Sequence, residues 1–286
     1  MTIKKKIMVL GSTGLLGTSI EKVFKNDKNF IYIGCSHKTI DITNTKKLKK
    51  LIHKHKPKII INTVALIGIN YCEANPEKTM SVNAFSVFNL AQICKEKKII
   101  LVQISTHAIF DGKNKLPYKE NEKPNPLNIY GYSKLIGEYF VKMNLKNYFI
   151  LRMPTMYGPR RNKAQGFVDK MITNMKMGKD LKIAGDRIDS PSYALTVSNK
   201  IKKIIKTKKF GTYHISDKGM ISYYQFIKEL SKKVRFKGKV LEAKDKDFPS
   251  AAPNPLRVAM SPLKGGTGVF WKKALEDYII KEKIKC

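Results

Sequence analysis

The chain has 286 residues, of which 42% are hydrophobic, so it is long enough to bury a sizeable core in one large domain or in two units that share a core. Its 56 basic and 22 acidic residues give a formal net charge of +34. This surplus suggests nucleic-acid binding. However, the lysines are spread along the whole chain, and only six of the basic residues are arginine. Arginine is the residue that base and phosphate recognition favours. We therefore expect a lysine-rich surface that attracts anionic, phosphate-bearing substrates, and not a nucleic-acid-binding protein.

The cysteines and the apolar runs bear on the compartment. Cys35, Cys72, Cys94 and Cys286 form no CxxC pair and have no metal-like spacing, which is typical of free thiols in a reducing cytosol. The apolar run at residues 7–10 is too short for a signal peptide, and no run approaches the roughly 18 residues of a membrane span. The sequence thus predicts a cytoplasmic protein without a membrane segment.

The first half of the chain alternates short β-rich runs with helical patterns. In chain order we predict strands at residues 6–10, 30–34, 58–65, 99–105 and 148–152, helices at 14–25, 45–55, 75–97 and 130–145, and a long loop at 111–128. A strand–helix alternation of this kind is typical of a parallel sheet covered by helices on both faces. The predicted fold class is therefore α/β, with a Rossmann-type doubly wound parallel sheet.

After residue 152 this alternation loosens. We predict helices at 167–177, 194–205, 223–234 and 271–282, strands at 182–185 and 211–216, and an irregular segment at 248–263. We interpret this part as a smaller C-terminal substrate lobe that is partly interleaved with the sheet. Residues 1–155 and about 186–220 are assigned to a dinucleotide-binding domain, and residues 156–185 and 221–286 to the substrate lobe.

A glycine-rich turn directly follows the first predicted strand. The segment 11–17 reads GSTGLLG, so that Gly11, Gly14 and Gly17 lie between a buried strand and a helix. Glycines there allow a tight turn, close approach of the backbone to a pyrophosphate and close helix–strand packing, while the helix N-terminus offers free N–H groups to the phosphates. The spacing is GxxGxxG and not the GxGxxG of the commonest dehydrogenases. In this position it predicts a dinucleotide site.

The residues after the second predicted strand bear on the choice of cofactor. In NAD enzymes an acidic residue at this point binds the ribose 2′-hydroxyl. This chain has none at the strand tip, where Ser36, His37 and Lys38 follow instead. These side chains favour the 2′-phosphate of NADPH, although an ordinary basic surface turn and the use of NADH stay open as alternatives. Asp41 and Ile42 come next and are candidates to cover the adenine.

A hydroxyl residue and a tyrosine–lysine pair are the candidate catalytic groups. Ser105 and Thr106 stand at the end of the fourth predicted strand, at the carboxyl edge where ligands bind in open α/β sheets. Tyr130 and Lys134 are four residues apart and share a helix face, whereas Tyr132 points elsewhere. A nearby ammonium group lowers the pKa of a tyrosine by favouring the phenolate, and a phenol so tuned acts as a general acid or base. We therefore predict that Thr106, Tyr130 and Lys134 form a catalytic set.

These motifs resemble those of the extended short-chain dehydrogenase/reductase superfamily, and within it the dTDP-4-dehydrorhamnose reductase family of nucleotide-sugar reductases. The likeness extends over nearly the whole chain. Besides the glycine turn and the catalytic set, it is carried by the strand end at 62–65 and by these segments: STHAIFDG at 105–112, YGYSKLIGE at 130–138, Cys72-Glu73, Val82-Asn83-Ala84, SPSYA at 190–194, and Trp271.

The resemblance implies a reaction and a set of cofactor contacts. NADPH reduces a 4-keto sugar attached to a nucleoside diphosphate. Tyr130 donates a proton to the alkoxide, Lys134 lowers the pKa of the tyrosine and holds the nicotinamide ribose, and Thr106 orients the keto oxygen. The residues expected to contact the cofactor are Gly11, Thr13, Gly14, Leu15, Leu16, Gly17, Ser36, His37, Lys38, Asp41, Ile42, Val64, Ala65, Asn83, Tyr130 and Lys134.

The chain departs from the family pattern where the sugar is expected to bind. His107 and Ala108 replace the usual Asp-Tyr, and Thr155 stands where many relatives carry a tryptophan that stacks on the sugar. Arg187 and Arg257 are candidates to contact the diphosphate. We expect these five residues to bind the substrate, and the departures indicate a different sugar, a different nucleotide or a changed reaction.

Two other functions stay open at this point. An epimerase or dehydratase of the same superfamily would use the same fold and catalytic set with a cofactor that cycles. Some relatives are non-catalytic regulatory subunits that keep the cofactor fold, and the intact catalytic set argues against that role.

Ser19 stands where some relatives carry a metal-binding glutamate, so no metal is predicted. The expected partner is a nucleotide-diphosphate sugar used for surface polysaccharides, and a homodimer is an open alternative to a monomer.

Overall fold

The computed structural model of the protein describes residues 4–162, 164–264, 266 and 268–285. The first part of the chain contains β1 (Lys5–Leu10), α1 (Leu15–Phe24), β2 (Phe30–Cys35), α2 (Thr45–His55), β3 (Ile59–Asn62), α3 (Ile69–Ala74), α4 (Pro76–Met80), α5 (Ser86–Glu96), β4 (Ile100–Thr106), α6 (Ile129–Asn144) and β5 (Tyr148–Met153). The rest contains β6 (Met156–Tyr157), α7 (Phe167–Lys176), β7 (Leu181–Ala184), β8 (Ile188–Asp189), β9 (Ser192–Tyr193), α8 (Ala194–Thr207), β10 (Gly211–His214), β11 (Ile221–Ser222), α9 (Tyr223–Lys233), β12 (Val240–Ala243) and α10 (Trp271–Lys281).

Six parallel strands form the central sheet in the order β10-β5-β4-β3-β1-β2. The pairing register aligns Leu10 with Cys35 and with Asn62, and Thr106 with Met153, so the carboxyl ends of five strands meet at one edge. The predicted Rossmann-type α/β fold is confirmed. Ligands bind outside this edge in open α/β sheets, and the chain between the strands passes there.

Both faces of the sheet are covered, which explains why its strands are apolar runs without alternation. One face packs on α1 and α8 through side chains such as Ile20 and Ile201, and the other packs on α2, α5 and α6 through side chains such as Leu48 and Leu90. Burying each such side chain contributes about 1.5–3 kcal/mol. The glycine turn after β1 is thereby fixed between a buried strand and a buried helix.

The helical region after β3 differs from the single helix predicted at 75–97. It consists of α3, α4, one π-helical turn at Ser81–Phe85 and α5. Pro76 begins α4 because its missing N–H is tolerated in a first helical turn and not inside a helix. The prediction also missed α3, and it placed the end of the third strand at 65 when β3 ends at Asn62. Residues 63–68 leave the sheet and reach over its carboxyl edge.

The C-terminal lobe has its own apolar core, formed around aromatic side chains. Tyr157 packs on Phe226 and Tyr278, with ring centroids 5.3 Å and 5.1 Å apart, and Trp271 joins the same cluster. Three two-stranded ladders, β6–β9, β7–β12 and β8–β11, connect its segments. Most of these strands have only two residues, too few for a periodic pattern, and only the β7 segment was predicted. The proposed division into two domains stays a prediction.

Among the described residues, no helix combines the length and the apolar character that a membrane crossing requires.

Candidate active site

The glycine turn has the backbone geometry that its sequence predicts. Gly11 has a φ of +83°, which residues with a side chain rarely adopt. A Cβ on Gly17 would lie 2.2 Å from the carbonyl oxygen of Gly11, so only glycine permits this contact between α1 and the turn. The helix starts at Leu15 and no side chain caps it, which leaves the N–H groups of its first turn free for an anion.

The tip of β2 carries no acidic side chain. Ser36 opens a turn in which its N–H donates to the hydroxyl of Thr39 at 3.2 Å, and His37 and Lys38 are exposed. The carboxylate of Asp41 accepts hydrogen bonds from the N–H and the hydroxyl of Thr43, at 2.9 Å and 2.8 Å. Ile42 is buried in the core, so its side chain offers little surface to an adenine ring.

A cleft of about 470 Å³ opens at the carboxyl edge of the sheet, between the glycine turn and the C-terminal lobe. It brings together nine of the residues predicted to contact cofactor or substrate: Gly14, Leu15, Leu16, Ala65, Thr106, His107, Tyr130, Lys134 and Thr155. The N-terminus of α1 and the predicted catalytic set therefore face the same space. Val64, the residues at the tip of β2 and Ala108 do not line this cleft.

Tyr130 and Lys134 project from α6, where the side chain of Asn128 caps the first turn by accepting from the N–H of Gly131 at 2.9 Å. Lys134 is 4% exposed, and its Nζ donates to the carbonyl of Ile104 at 2.7 Å. Tyr132 is 48% exposed and lies outside the cleft, as predicted.

The electrostatics of this pair differ from the prediction. Burial raises the pKa of Tyr130 to about 12, although the neighbouring hydroxyl of Thr106 acts to lower it. Burial lowers the pKa of Lys134 to about 8, although the charge of Glu138 acts to raise it. The expected lowering of the tyrosine pKa by Lys134 is not observed: burial has the largest effect on Tyr130, and the Lys134 ammonium is held on a backbone carbonyl. The phenol stays protonated at neutral pH.

A buried ion pair lies one turn below Lys134 on α6. Glu138 is fully buried and accepts from Nε and Nη2 of Arg152 at 3.0 Å and 2.8 Å. It also accepts from the hydroxyl of Ser105 at 2.6 Å. The pair therefore joins α6 to the ends of β4 and β5, and it fixes the helix that carries the candidate catalytic residues. Sequence reasoning gave Glu138 no such role, although it closes the quoted motif at 130–138.

Asn83 supports the cleft from behind and does not face it. It is 1% exposed, its side-chain oxygen accepts from the N–H of Leu66 at 2.9 Å, and its amide donates to the carbonyl of Leu66 and to Ser133. These bonds hold the loop after β3 over the sheet edge and fasten it to α6. Asn83 thus has a positioning role, and its contact with the cofactor stays a prediction. A Cβ on Gly137 would lie 2.7 Å from the Asn83 carbonyl, so α6 approaches this turn closely.

A loop from the C-terminal part also reaches the glycine turn. The N–H groups of Arg161 and Asn162 both donate to the carbonyl of Thr13, at 3.0 Å and 3.1 Å. The side chain of Arg160 pairs with Asp169 at 2.9 Å and lines the cleft. Backbone contacts of this kind leave no signal in a sequence, so these bonds to the glycine turn could not be predicted.

Ser19, at the position where some relatives carry a metal-binding glutamate, is fully buried on α1. Within the part of the chain that the structure describes, no group of three or more His, Cys, Asp and Glu side chains could hold a metal ion.

A model of the family named for the RmlD substrate-binding domain matches residues 5–282. The chain belongs to this family. A dTDP-4-dehydrorhamnose reductase from Clostridium acetobutylicum is 32% identical, covers 97% of this chain and 99% of its own, and superposes with a TM-score of 0.91. The enzyme of the same name from Bacillus anthracis, determined in complex with NADP, is 30% identical over 98% of this chain and all of its own, with a TM-score of 0.92. The spore coat polysaccharide biosynthesis protein SpsK of Bacillus subtilis is 25% identical over 285 residues, 98% of this chain and 99% of its own.

In this RmlD-family protein, a pair of polar side chains lies where the sugar is expected. Nδ1 of His107 lies 3.1 Å from the carboxylate of Asp189, which is fully buried. Thr155 lies on the other side of that carboxylate, donates its N–H to it at 3.0 Å, and shares a 2.6 Å hydrogen bond with the hydroxyl of Tyr223. The predicted substrate residues His107 and Thr155 are therefore linked through Asp189, which sequence reasoning missed.

The two arginines predicted to bind the diphosphate lie outside the lining of the cleft. Arg187 forms an ion pair with Asp245, and its guanidinium lies 5.9 Å from the ring centre of Tyr223. Arg257 donates to the carbonyl of Lys115 at 3.4 Å. In this RmlD-family protein their contact with a nucleotide stays a prediction.

Proposed function

We propose that the protein is an NADPH-dependent reductase that converts the ketone of a nucleotide-linked 4-keto-6-deoxy sugar to the alcohol, in the synthesis of surface polysaccharides. The observation that carries this proposal is the single cleft lined by the N-terminus of α1 and by Thr106, Tyr130 and Lys134. Membership of the RmlD family and the names of the relatives, two dTDP-4-dehydrorhamnose reductases and a polysaccharide biosynthesis protein, support it.

The residues present fit a dinucleotide. The turn at Gly11 and Gly17 leaves no room for a Cβ, and the uncapped start of α1 presents N–H groups at the cleft. The exposed Lys38 and the lack of an acidic residue at the tip of β2 favour a 2′-phosphate, and the Bacillus anthracis relative binds NADP. When bound, NADPH supplies the hydride for the carbonyl carbon.

The chain's own side chains supply the proton and hold the ketone. The Tyr130 phenol has a pKa of about 12, so it carries a proton at neutral pH and can donate it to the oxygen on which negative charge develops. The hydroxyl of Thr106 accepts from the N–H of Ala108 at 3.1 Å and lies beside the Tyr130 phenol, so both hydroxyl groups can face the same oxygen. Lys134, which is 4% exposed, places a positive charge close by, and this charge favours a negative oxygen.

We further propose that the reaction takes place in the cytoplasm and that no metal is required. The assignment of residues 1–155 and about 186–220 to the dinucleotide-binding domain is supported by the packing of α8 on α1 and by the position of β10 in the sheet. A homodimer is the assembly we would test for first.

The function is tested by following NADPH and a dTDP-linked 4-keto-6-deoxy sugar together. We expect one NADPH to be oxidised for each ketone that is lost. A conversion of the sugar without net NADPH oxidation would reject the reductase in favour of an epimerase or dehydratase. Unchanged turnover by a Tyr130→Phe variant would show that Tyr130 has no chemical role.

A further inference from the structure

His107 and Asp189 form a buried pair at the boundary between the central sheet and the C-terminal lobe. His107 follows the last residue of β4, and Asp189 ends β8, 82 positions later in the chain. Besides His107, the carboxylate accepts from the N–H groups of Ser190 and Thr155, at 2.7 Å and 3.0 Å. These bonds fix the carboxylate so that one of its oxygens faces the imidazole.

The pairing determines which ring nitrogen of His107 carries the proton. Burial acts to raise the pKa of Asp189, but the neighbouring His107 and the hydrogen bonds outweigh it and keep the pKa below its usual value. An ionised carboxylate only accepts hydrogen bonds, so Nδ1 carries the hydrogen and the lone pair of the neutral ring lies on Nε2.

The other nitrogen, Nε2, is available in the cleft. Among the described residues it has no hydrogen-bond partner. It is also partly exposed, since it is absent from the set of fully buried polar atoms without a partner. His107 lines the cleft beside Thr106 and Tyr130. A histidine whose Nδ1 is bound to a buried carboxylate and whose Nε2 faces a substrate site has the arrangement of a general base.

Ketone reduction by itself gives this pair no task. The reaction consumes one hydride and one proton, and Tyr130 is placed to supply the proton. A ketone has a second reactive position, since loss of a proton from the neighbouring carbon gives an enolate whose charge lies on the carbonyl oxygen. We propose that His107 is a second acid–base residue, which removes and returns a proton at the carbon next to the carbonyl of the sugar. This inference rests on the proposed function, because it requires the same ketone in the same cleft.

The step balances without any further reactant. Nε2 of His107 takes the proton, the electrons of the C–H bond form a carbon–carbon double bond, and the carbonyl electrons move to the oxygen. The hydroxyl groups of Thr106 and Tyr130 donate hydrogen bonds to that oxygen. The imidazolium exchanges its proton with solvent and returns one to carbon, which restores the ketone. Asp189 is a positioning residue, because it holds the Nδ1–H tautomer and stabilises the imidazolium through the bond at 3.1 Å.

Hydrogen–deuterium exchange at carbon tests the proposal directly. The whole protein is incubated in D₂O with NADP⁺, which has no hydride to give, and a dTDP-linked 4-keto-6-deoxy sugar, and deuterium on the sugar ring is followed by mass spectrometry and NMR. We expect the protein to accelerate exchange next to the carbonyl about 100-fold or more over the protein-free rate. A parallel sample with NADPH measures reduction.

Variants separate the base from a residue that only shapes the pocket. His107→Asn keeps an amide to donate to Asp189 but lacks Nε2, and we expect it to lose the exchange while reduction falls less than about tenfold. Asp189→Asn no longer fixes the tautomer and should also lower exchange more than reduction. His53→Asn, an exposed position on α2, is the matched control and should leave both rates unchanged. Thermal unfolding checks each fold, and His107→Gln provides a second variant without a base.

Two results would overturn the inference and leave the reductase intact. One is NADPH oxidation by a protein that exchanges carbon-bound hydrogen no faster than buffer. The other is undiminished exchange in both His107 variants. If neither exchange nor NADPH oxidation occurs with the 4-keto sugar, the proposed function itself is rejected, and the inference with it.

Discussion

Replacing Glu138 by glutamine removes the negative charge from the buried ion pair on α6 and changes the shape of the side chain little. Glu138 is fully buried on α6, accepts two hydrogen bonds from Arg152, and accepts one from Ser105 at 2.6 Å. The side-chain oxygen of a glutamine still accepts from Ser105. Arg152, which is 2% exposed, loses the only carboxylate to which its guanidinium is bonded among the described residues.

The structure sets the size of the effect. Burial acts to raise the pKa of Glu138, and the charge and hydrogen bonds of Arg152 outweigh it and lower that pKa below its usual value. Removing one partner of a buried ion pair leaves the other charge without compensation, at a cost of about 3–5 kcal/mol. In a chain of this size each kcal/mol lowers the melting temperature by roughly 2–4 °C, so a fall of about 10 °C is expected.

Thermal and urea unfolding of Glu138→Gln, beside Glu96→Gln, measure this effect. Glu96 lies on a helix as Glu138 does, and it pairs with Lys97 at 2.7 Å. Glu96 is exposed, however, and surface ion pairs of this kind add little to the free energy of unfolding. Glu96→Gln should therefore unfold like the wild type. If Glu138→Gln unfolded within experimental error of Glu96→Gln, the buried pair would not have the role that we assign to it.

The pH dependence gives the sign of the same effect. A carboxyl with a lowered pKa in the folded state stabilises the protein fully above its unfolded pKa of about 4.3. That stability is lost as the pH falls through the lower pKa of folded Glu138. The difference in stability between the wild type and Glu138→Gln should therefore be constant from neutral pH to about pH 5 and shrink in more acidic buffer. A difference that grew with acidity would contradict this account.

Four further predictions concern the catalytic and cofactor-binding residues. Tyr130→Phe should lower kcat about 100-fold or more with little change in the Kd of NADPH, whereas the exposed Tyr132→Phe keeps its activity in the NADPH oxidation assay. Gly17→Ala should weaken NADPH binding in a fluorescence titration and lower the melting temperature, because about 1–3 kcal/mol of overpacking exceeds the roughly 1 kcal/mol that alanine gains in a helix. Lys38→Glu should weaken NADPH more than NADH, and an unchanged ratio of the two affinities would place recognition of the 2′-phosphate elsewhere. Reduction should slow as the pH rises through about 8, where Lys134 loses its charge, and a flat profile up to about pH 10 would contradict this.

The parts of the fold that the sequence predicted are those with a local signal. Apolar runs such as β1 and β3 are uniform because both sheet faces are covered, and the glycine turn needs glycine for reasons that lie within seven residues. Tyr130 and Lys134 lie four apart on one helix, so their common face follows from helix geometry. The two-residue strands of the lobe and the π-helical turn at Ser81–Phe85 have no comparable pattern, and they were missed.

The parts of the site that escaped prediction depend on distant contacts. Asp189 reaches His107 across 82 positions, and Arg152 meets Glu138 only because α6 lies over β4 and β5. The pKa of Tyr130 was expected to fall because a lysine is near in sequence. It rises because burial, which the sequence does not specify for a single side chain, has the larger effect.

The path of the hydride decides whether the protein is a reductase. NADPH that carries deuterium at its transferable position is mixed with the protein and a dTDP-linked 4-keto-6-deoxy sugar, and the product is examined by NMR. We expect an alcohol with deuterium bound to carbon 4 and an equal amount of oxidised cofactor. A sugar product without deuterium at that carbon, or conversion without oxidation of NADPH, would contradict it.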